Sequence, residues 1–332
     1  MANIKDVAKR AGVAVGTVSR YLNGADIKEV NKVKIDEAIE SLDFKLNQIA
    51  RTLKTNKTFT IGVIIPGLTD IYSTTIVSSI ERELYKHGYN IFVCDSWGSA
   101  ETELKKINIL LDKQIDGLII YPVAEDISYL KTLKNKKVPL VTIDSMVKGF
   151  ECDQILTDNI NATYSATEWL INNNHKKIGI ISGNRQHFTA GERLKGYERA
   201  LEAYAINIDQ SFIKAKDFSE ESGYEGLQEL MNLKEPPTAV MACNYYTTIG
   251  AIKAIYDLGL KIPEQLSLIG FDNLGISELV RPALSIIVQP MEEVGIAAAQ
   301  LLIKRIKGDY EDFPRVSRLK TSFVLKESTR KL

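Results

Sequence analysis

Three cysteines and three histidines are all that the 332 residues contain of those types. Cys94, Cys152 and Cys243 are scattered, odd in number and without CxxC spacing, so they offer no disulfide framework and point to a reducing compartment. His87 closes a helical stretch before Gly88, and His175 precedes a strand-like run, both structural positions. His187 lies in a loop with no nucleophile pattern nearby. None of the HExxH, GxSxG, GxxxxGK[ST] or GxGxxG spacings occurs. The expectation is a protein that is not an enzyme and uses no metal or cofactor. No apolar run approaches the ~18 residues of a membrane helix, and Lys5, Asp6, Lys9 and Arg10 interrupt any signal-peptide core. A cytoplasmic protein without membrane contact is expected.

Net charge is missing as well, since 42 Lys and Arg balance 42 Asp and Glu. The balance hides an asymmetry. Residues 1–57 carry 11 basic against 7 acidic side chains, a net +4, and the remainder carries 31 against 35, a net −4. A basic head on an acidic body suits local contact with phosphate that weakens with salt.

What the head does contain is a pattern. In IKDVAKRAGVAVGTVSRYL (4–22), Ile4, Val7, Ala8 and Ala11 recur at i, i+3, i+4 and i+7, one face of a helix. Gly12 permits a sharp turn, with Val13 to plug the corner. A second helix over 15–22 keeps Val18, Tyr21 and Leu22 for packing and turns Val15, Gly16, Thr17, Ser19 and Arg20 outward. Helix, glycine turn, helix is the arrangement whose second member enters the DNA major groove, although a plain helical hairpin shows the same pattern. Val30, Val33, Ile35, Ala38, Ile39 and Leu42 form an apolar stripe expected to complete the bundle as a third helix. After Phe44 comes LNQIARTLKTNKT, either a solvated linker or a short helix that orders only against DNA and a partner copy.

From Thr60 the pattern changes. TIGVII (60–65), NIFVCD (90–95), GLII (117–120) and PLVTID (139–144) read as buried strands, separated by amphipathic stretches near 74–87, 100–112 and 126–135. A second series has strands KIGIIS (177–182), FIKAKD (212–217), AVMAC (239–243) and SLIGFD (267–272), with helices near 190–203, 221–232 and 246–258. Such alternation predicts an α/β fold of two parallel-sheet lobes. Ligands of open α/β sheets bind beyond the carboxyl ends of strands, which here carry Asp95, Tyr121, Asp144, Asn244 and Asp272. A polar small ligand between the lobes is expected.

These stretches together resemble the lactose/galactose-repressor family of bacterial transcription regulators across nearly the whole chain. The resemblance is carried by IKDVAKRAGVAVGTVSRYLNG (4–24), LNQIARTL (46–53), DGLII (116–120), GERLKGYERAL (191–201), the segment opening at Asn244, IGFDN (269–273) and VLKEST (324–329). It implies a helix-turn-helix DNA-binding domain at 1–45, a hinge helix and linker at 46–58, and a two-lobed, periplasmic-binding-protein-like effector and dimerisation domain at 59–332. The N-lobe would take about 59–158 and 290–319, the C-lobe about 159–289 and 320–332.

The resemblance also implies roles. Val15, Gly16 and Arg20 would read bases, with Arg20 suited to guanine O6 and N7, while Asn3, Thr17, Ser19 and Asn23 would contact backbone phosphate. Asn47, Ala50 and Leu53 would belong to a hinge helix that pairs with its partner's copy, Leu53 wedging into the minor groove of a nearly palindromic operator. A homodimer is thus expected, and with no leucine heptad after VLKEST, no tetramer. Tyr72, Asp144, Arg193, Phe218, Asn244 and Asp272 would line the effector cleft and favour a sugar, with a phosphate or purine ligand left open as the alternative, the effector switching operator affinity. Trp97 is either an extra sugar platform or a loop residue packed on its own lobe, and Trp169, in TEWLI, reads as core. Three positions depart from the family pattern: Leu46 replaces a proline, Ala14 a serine cap, and Tyr245 an aspartate. A transporter-delivery sugar-binding protein is the rival reading, and the DNA-binding head argues against it.

Overall fold

A computed structural model describes residues 2–22, 25–44, 57–272 and 274–332. They fall into two compact units, Met1–Thr58 and Phe59–Leu332.

The first unit packs α1 (Ile4–Ala11), α2 (Val15–Leu22) and α3 (Glu29–Ser41) around Val7, Ala8, Ala11, Val18, Ile35 and Ala38, all buried. Asn3 and Asp6 form a reciprocal capping box at the start of α1. The helix stops at Gly12, whose φ of 64° lies in the left-handed region that glycine occupies without a side-chain clash. The stripe expected on α3 is only partly core, because Val30 and Val33 are exposed. Ile35, Ala38, Ile39 and Leu42 share one face at i, i+3, i+4 and i+7, and the two valines fall off it.

The second unit contains two six-stranded sheets. In the first, β1 (Thr60–Ile65), β2 (Asn90–Asp95), β3 (Gly117–Ile120), β4 (Leu140–Ile143), β5 (Asp153–Thr157) and β11 (Val316–Leu319) lie in the order β11-β5-β4-β3-β1-β2, all parallel. The second repeats the plan as β12-β10-β9-β8-β6-β7, from β6 (Ile178–Gly183), β7 (Ile213–Lys216), β8 (Ala239–Ala242), β9 (Ser267–Phe271), β10 (Ser285–Val288) and β12 (Ser322–Val324). Only β12 is antiparallel there. Helices α4 (Ile71–Tyr85), α5 (Ala100–Asp112) and α6 (Lys131–Lys136) belong to the first lobe. The second takes α7 (Asn159–Asn172), α8 (Phe188–Ala203), α9 (Glu220–Met231), α10 (Tyr245–Asp257) and α11 (Leu274–Leu279). Helix α12 (Met291–Ile306) returns to the first lobe and packs on α4 and β3 to β5.

Helices cover both faces of each sheet, which is why strand interiors are apolar throughout rather than alternating. Along β1, Ile61, Val63 and Ile65 pack beneath α4 and α12, while Ile64 joins the opposite cluster with Leu118 and Ile120. The helix pair α7–α8 crosses so closely that a Cβ on Gly196 would stand 2.1 Å from Thr163 Oγ1 and 2.2 Å from the Ile160 carbonyl, so only glycine fits. The chain passes between lobes three times: after β5, after β10 and between β11 and β12. Among the described residues, no helix is long and apolar enough to cross a membrane.

Candidate functional site

In the head, α2 is anchored from one side only. Val18 is fully buried, and the Tyr21 hydroxyl donates to Asp36 of α3. The opposite side presents Val15, Gly16 and Arg20 exposed and Thr17 and Ser19 half-buried, a shallow surface with one long cationic side chain. Asn3 is exposed, but its Oδ1 already accepts from the backbone of Lys5 and Asp6 at 2.8 and 3.3 Å. Its amide NH2 takes no part in that cap. Asn23, Asn47, Ala50 and Leu53 lie outside the described residues.

In the second unit, the carboxyl ends of β1, β3, β4, β8, β9 and β10 face a cavity of about 290 Å³ between the lobes. It brings together Tyr72, Tyr121, Asp144, Arg193, Phe218, Asn244 and Asp272 of the residues expected from the sequence. It also draws in Asp70, Thr189, Tyr246 and Gln289. Arg193 is 3% exposed and held flat. Its Nε donates to Asn159 Oδ1 at 2.8 Å, its Nη1 donates to the Cys243 carbonyl, and the guanidinium lies 4.1 Å from the Phe271 ring centre. Asn244 caps α10 with its Oδ1, which accepts from Thr247 N at 2.9 Å, and its Nδ2 donates to the Phe218 carbonyl at 3.0 Å.

The carboxylates are placed for interaction rather than for stability. Asp272 is pushed up to about 6 by burial, Arg193 pulling the other way, and Asp144 is raised for the same reason. Burial also holds the Tyr72 and Tyr121 phenols well above their usual range. Three buried polar atoms of the cavity-lining residues have no hydrogen-bond partner among the described residues: Tyr72 OH, Asp144 Oδ1 and Gln289 Oε1. Buried polar atoms are normally satisfied, so a wall that leaves three open is shaped for something else to complete it.

Trp97 is not part of that wall. It is 72% exposed at φ 53°, with Lys106 Nζ 5.5 Å from its ring centre. Strand β2 is the sheet edge, one strand beyond the cavity, and Asp95 at its end is spent on the backbone N–H groups of Leu68 and Trp97 at 3.0 and 2.7 Å. Trp169 packs edge-to-face on Phe323, 6.2 Å between centres. Gln289 escapes the sequence reading because β10 was not recognised as a strand. Once it is, Gln289 stands at a carboxyl end like the two aspartates. Asp70 carries a fainter signal, an aspartate three residues before Ser73 at a helix start.

Residues 58–327 match the family described as periplasmic binding proteins and sugar binding domain of LacI family. Residues 3–47 match bacterial regulatory proteins, lacI family. The chain belongs to the lacI family. It is 33% identical to the HTH-type transcriptional repressor PurR of Actinobacillus pleuropneumoniae serotype 3, over 100% of this chain and 99% of that one. It is 34% identical to catabolite control protein A of Priestia megaterium, over 93% and 94%. A lacI-family transcriptional regulator from Enterococcus faecium, solved with bound ribose, superposes with a TM-score of 0.74 at 29% identity, covering 82% of this chain and 99% of that one. As a lacI-family regulator, the chain binds DNA through its helix-turn-helix head and a small-molecule effector through the two-lobed unit.

Proposed function

We propose that the protein is a homodimeric repressor of sugar-utilisation genes, acting in the cytoplasm and catalysing no reaction, whose hold on its operator is switched by a carbohydrate in the cleft. The observation that carries this reading is the cavity of about 290 Å³ whose walls leave Tyr72 OH, Asp144 Oδ1 and Gln289 Oε1 without partners among the described residues. Hydroxyls donate and accept at once, so a ring bearing several of them meets such a wall well. Phe218 beside Arg193 supplies an apolar face. The ribose complex of the Enterococcus faecium regulator supports the same class of ligand.

Residues 46–58 serve as the hinge, with Asn47, Ala50 and Leu53 meeting DNA only when two copies pair. On the head, Arg20 carries base readout, and Asn3, Thr17, Ser19 and Asn23 hold phosphate. Losing Arg20 would cost about 1–3 kcal/mol at one base position. An effector that favours one state of the lobes changes DNA affinity by the same factor as DNA changes effector affinity, typically ~1–3 kcal/mol. The test is a gel shift with promoter DNA from beside the protein's own gene, repeated with Arg20→Ala and with added sugars. A specific complex that Arg20→Ala weakens more on operator than on random DNA, and that a sugar alters, is expected. Equal weakening on both DNAs would remove Arg20 from base readout, and a complex indifferent to every sugar would refute the carbohydrate switch.

A further inference from the structure

We infer that the cleft selects against anions: its effector is unphosphorylated, neutral or positively charged, and presents hydrogen-bond donors toward Asp144 and Gln289. The inference rests on the cleft being the effector site, and it narrows the class of ligand that site takes.

Charge is the first ground. Among the described residues lining the cavity, Asp70, Asp144 and Asp272 face one cation, Arg193. That guanidinium is already engaged by Asn159, Cys243 and the Phe271 ring. A phosphate monoester brings about −1.5 to −2 charges at neutral pH and only acceptor oxygens at its ionised face, so it meets like charge.

The second ground is where the backbone donors have gone. Helix starts are the usual anion sites of α/β clefts, because their first N–H groups are free and the dipole is positive. Three helices begin at this cavity, and two of them, α4 and α10, already hold a carboxylate of the chain, which leaves only the start of α8 uncapped. Asp70 Oδ2 accepts from Ser73 N of α4 at 2.9 Å, and Asp272 Oδ2 accepts from Tyr245 N of α10 at 3.1 Å. At those two starts a ligand anion would have to displace them.

The third ground is the sense of the open hydrogen bonds. Asp144 Oδ1 and Gln289 Oε1 are acceptors, buried and without partners among the described residues. Gln289 cannot turn its amide over, since its Nε2 donates to the acceptor-only carboxylate of Asp272. Two fixed acceptors call for a ligand with at least two donors on that side, which free hydroxyls or an ammonium provide and an ionised phosphate group does not. The third open atom, Tyr72 OH, donates or accepts and suits a hydroxyl equally.

The experiment is a melting study of the full chain with matched pairs: glucose and glucose 6-phosphate, ribose and ribose 5-phosphate, glucosamine and its 6-phosphate, cellobiose and its phosphate, with inorganic phosphate as a separate arm. Binding to the native state alone raises the melting temperature. We expect at least one free or amino sugar to raise it, and its phosphate to need about tenfold more or worse for the same shift. In Asp144→Asn that discrimination should narrow, because one repelling charge is gone while the fold is kept. A phosphorylated member that binds as well as its parent, or a shift with inorganic phosphate alone, overturns the inference and leaves the carbohydrate reading standing. Such an anion would have to sit at the start of α8, which has no side-chain cap. Silence from every member defeats the carbohydrate reading itself, and the inference with it.

Discussion

Asp144 and Asp272 are the same residue of two copies of one plan. Each ends the third strand of its sheet, β4 in one lobe and β9 in the other, and each turns there into the left-handed region, at φ 53° and 80°. Each also donates its backbone N–H at 2.8 Å to an isoleucine carbonyl of the neighbouring strand, Ile155 and Ile287. Aspartate and asparagine tolerate this conformation better than most residues. The cavity is therefore lined from both sides by a carboxylate at a point where the backbone leaves its strand.

A stability prediction follows for Asp144. Burial raises its carboxyl, so ionisation at neutral pH is a cost to the fold. Asp144→Asn keeps the backbone preference and removes the charge. The free protein should melt higher, by roughly 2–4 °C for each 1 kcal/mol recovered, while the ligand-induced shift shrinks. Calorimetry of both proteins with and without sugar checks it. A variant that melts lower and binds normally would make the carboxylate structural.

Asp272 gives the cleft a pH dependence. Its carboxyl rises from 3.8 to about 6, chiefly by burial. Asp70 adds to the rise, while Arg193, Gln289 and the Tyr245 N–H oppose it. Because the folded value exceeds the unfolded one, this group's contribution to stability is complete below 3.8 and is lost as pH rises through about 6. Ligand donors need the ionised form, so binding runs the other way. Titration calorimetry at pH 5 and pH 7.5 should give severalfold weaker sugar binding at the lower pH, and Asp272→Asn should flatten the difference.

The head and most of the strands were legible in the sequence because their cause is local. Gly12 at its turn and the run TIGVII need no partner to be recognised. Strand β5, DQILT, escapes because three of its five residues are polar, although all five are buried. Asp153 is there to pair with Arg305, at 2.7 and 3.0 Å, from a helix about 150 residues away. Strands β11 and β12 are short and partly exposed, and they are strands only because a sheet edge is waiting for them. Gln289 was hidden with β10, an interior, buried strand that is only four residues long. Tyr121, Asp144, Asn244 and Asp272 were visible because a strand end is a position the sequence marks. Trp97 also follows a strand, but strand order, which the sequence does not mark, puts that strand at the edge.

His175 should set part of the acid limit of the fold. Its ring is fully buried, with Nδ1 2.8 Å from Thr238 Oγ1 and Nε2 3.0 Å from the Arg330 carbonyl, tying the chain's last residues to the second sheet. Burial lowers its pKa from 6.5. For a depressed histidine the unfolded state takes the proton first, so the contribution is present above 6.5 and lost as pH falls below it. Denaturation followed from pH 7.5 to 5.5 should show wild-type stability declining more steeply than that of His175→Gln, which is weaker at neutral pH but has no ring to charge. Parallel curves would sink the assignment.

Among the described residues, a hydrogen bond and an ion pair join the lobes across the cleft, with Arg318 also 6.0 Å from the Phe188 ring centre, and their strengths say how firmly it is held. Tyr246 of α10 donates its hydroxyl to the Thr69 carbonyl at 3.1 Å, and Arg318 of β11 pairs with Glu192 of α8 at 2.9 Å. A neutral hydrogen bond is worth about 0.5–1.5 kcal/mol net, and an ion pair whose Glu192 side is buried and whose Arg318 side is half-buried about 1–3 kcal/mol. Together they total about 2–4 kcal/mol, within reach of an effector that prefers one arrangement of the lobes. Tyr246→Phe should therefore leave the fold intact, enlarge the particle in small-angle scattering and weaken sugar binding by about 2- to 10-fold. Tyr246 also lines the cavity, so its loss alone confounds contact with closure. Arg318→Ala separates them, because Arg318 is not among the cavity-lining residues and acts only on the lobes. Both variants should move scattering and affinity in the same direction, and the double variant should move them further. If Arg318→Ala changes neither while Tyr246→Phe weakens binding, Tyr246 acts as a ligand contact and the lobes are held by the three crossing strands alone.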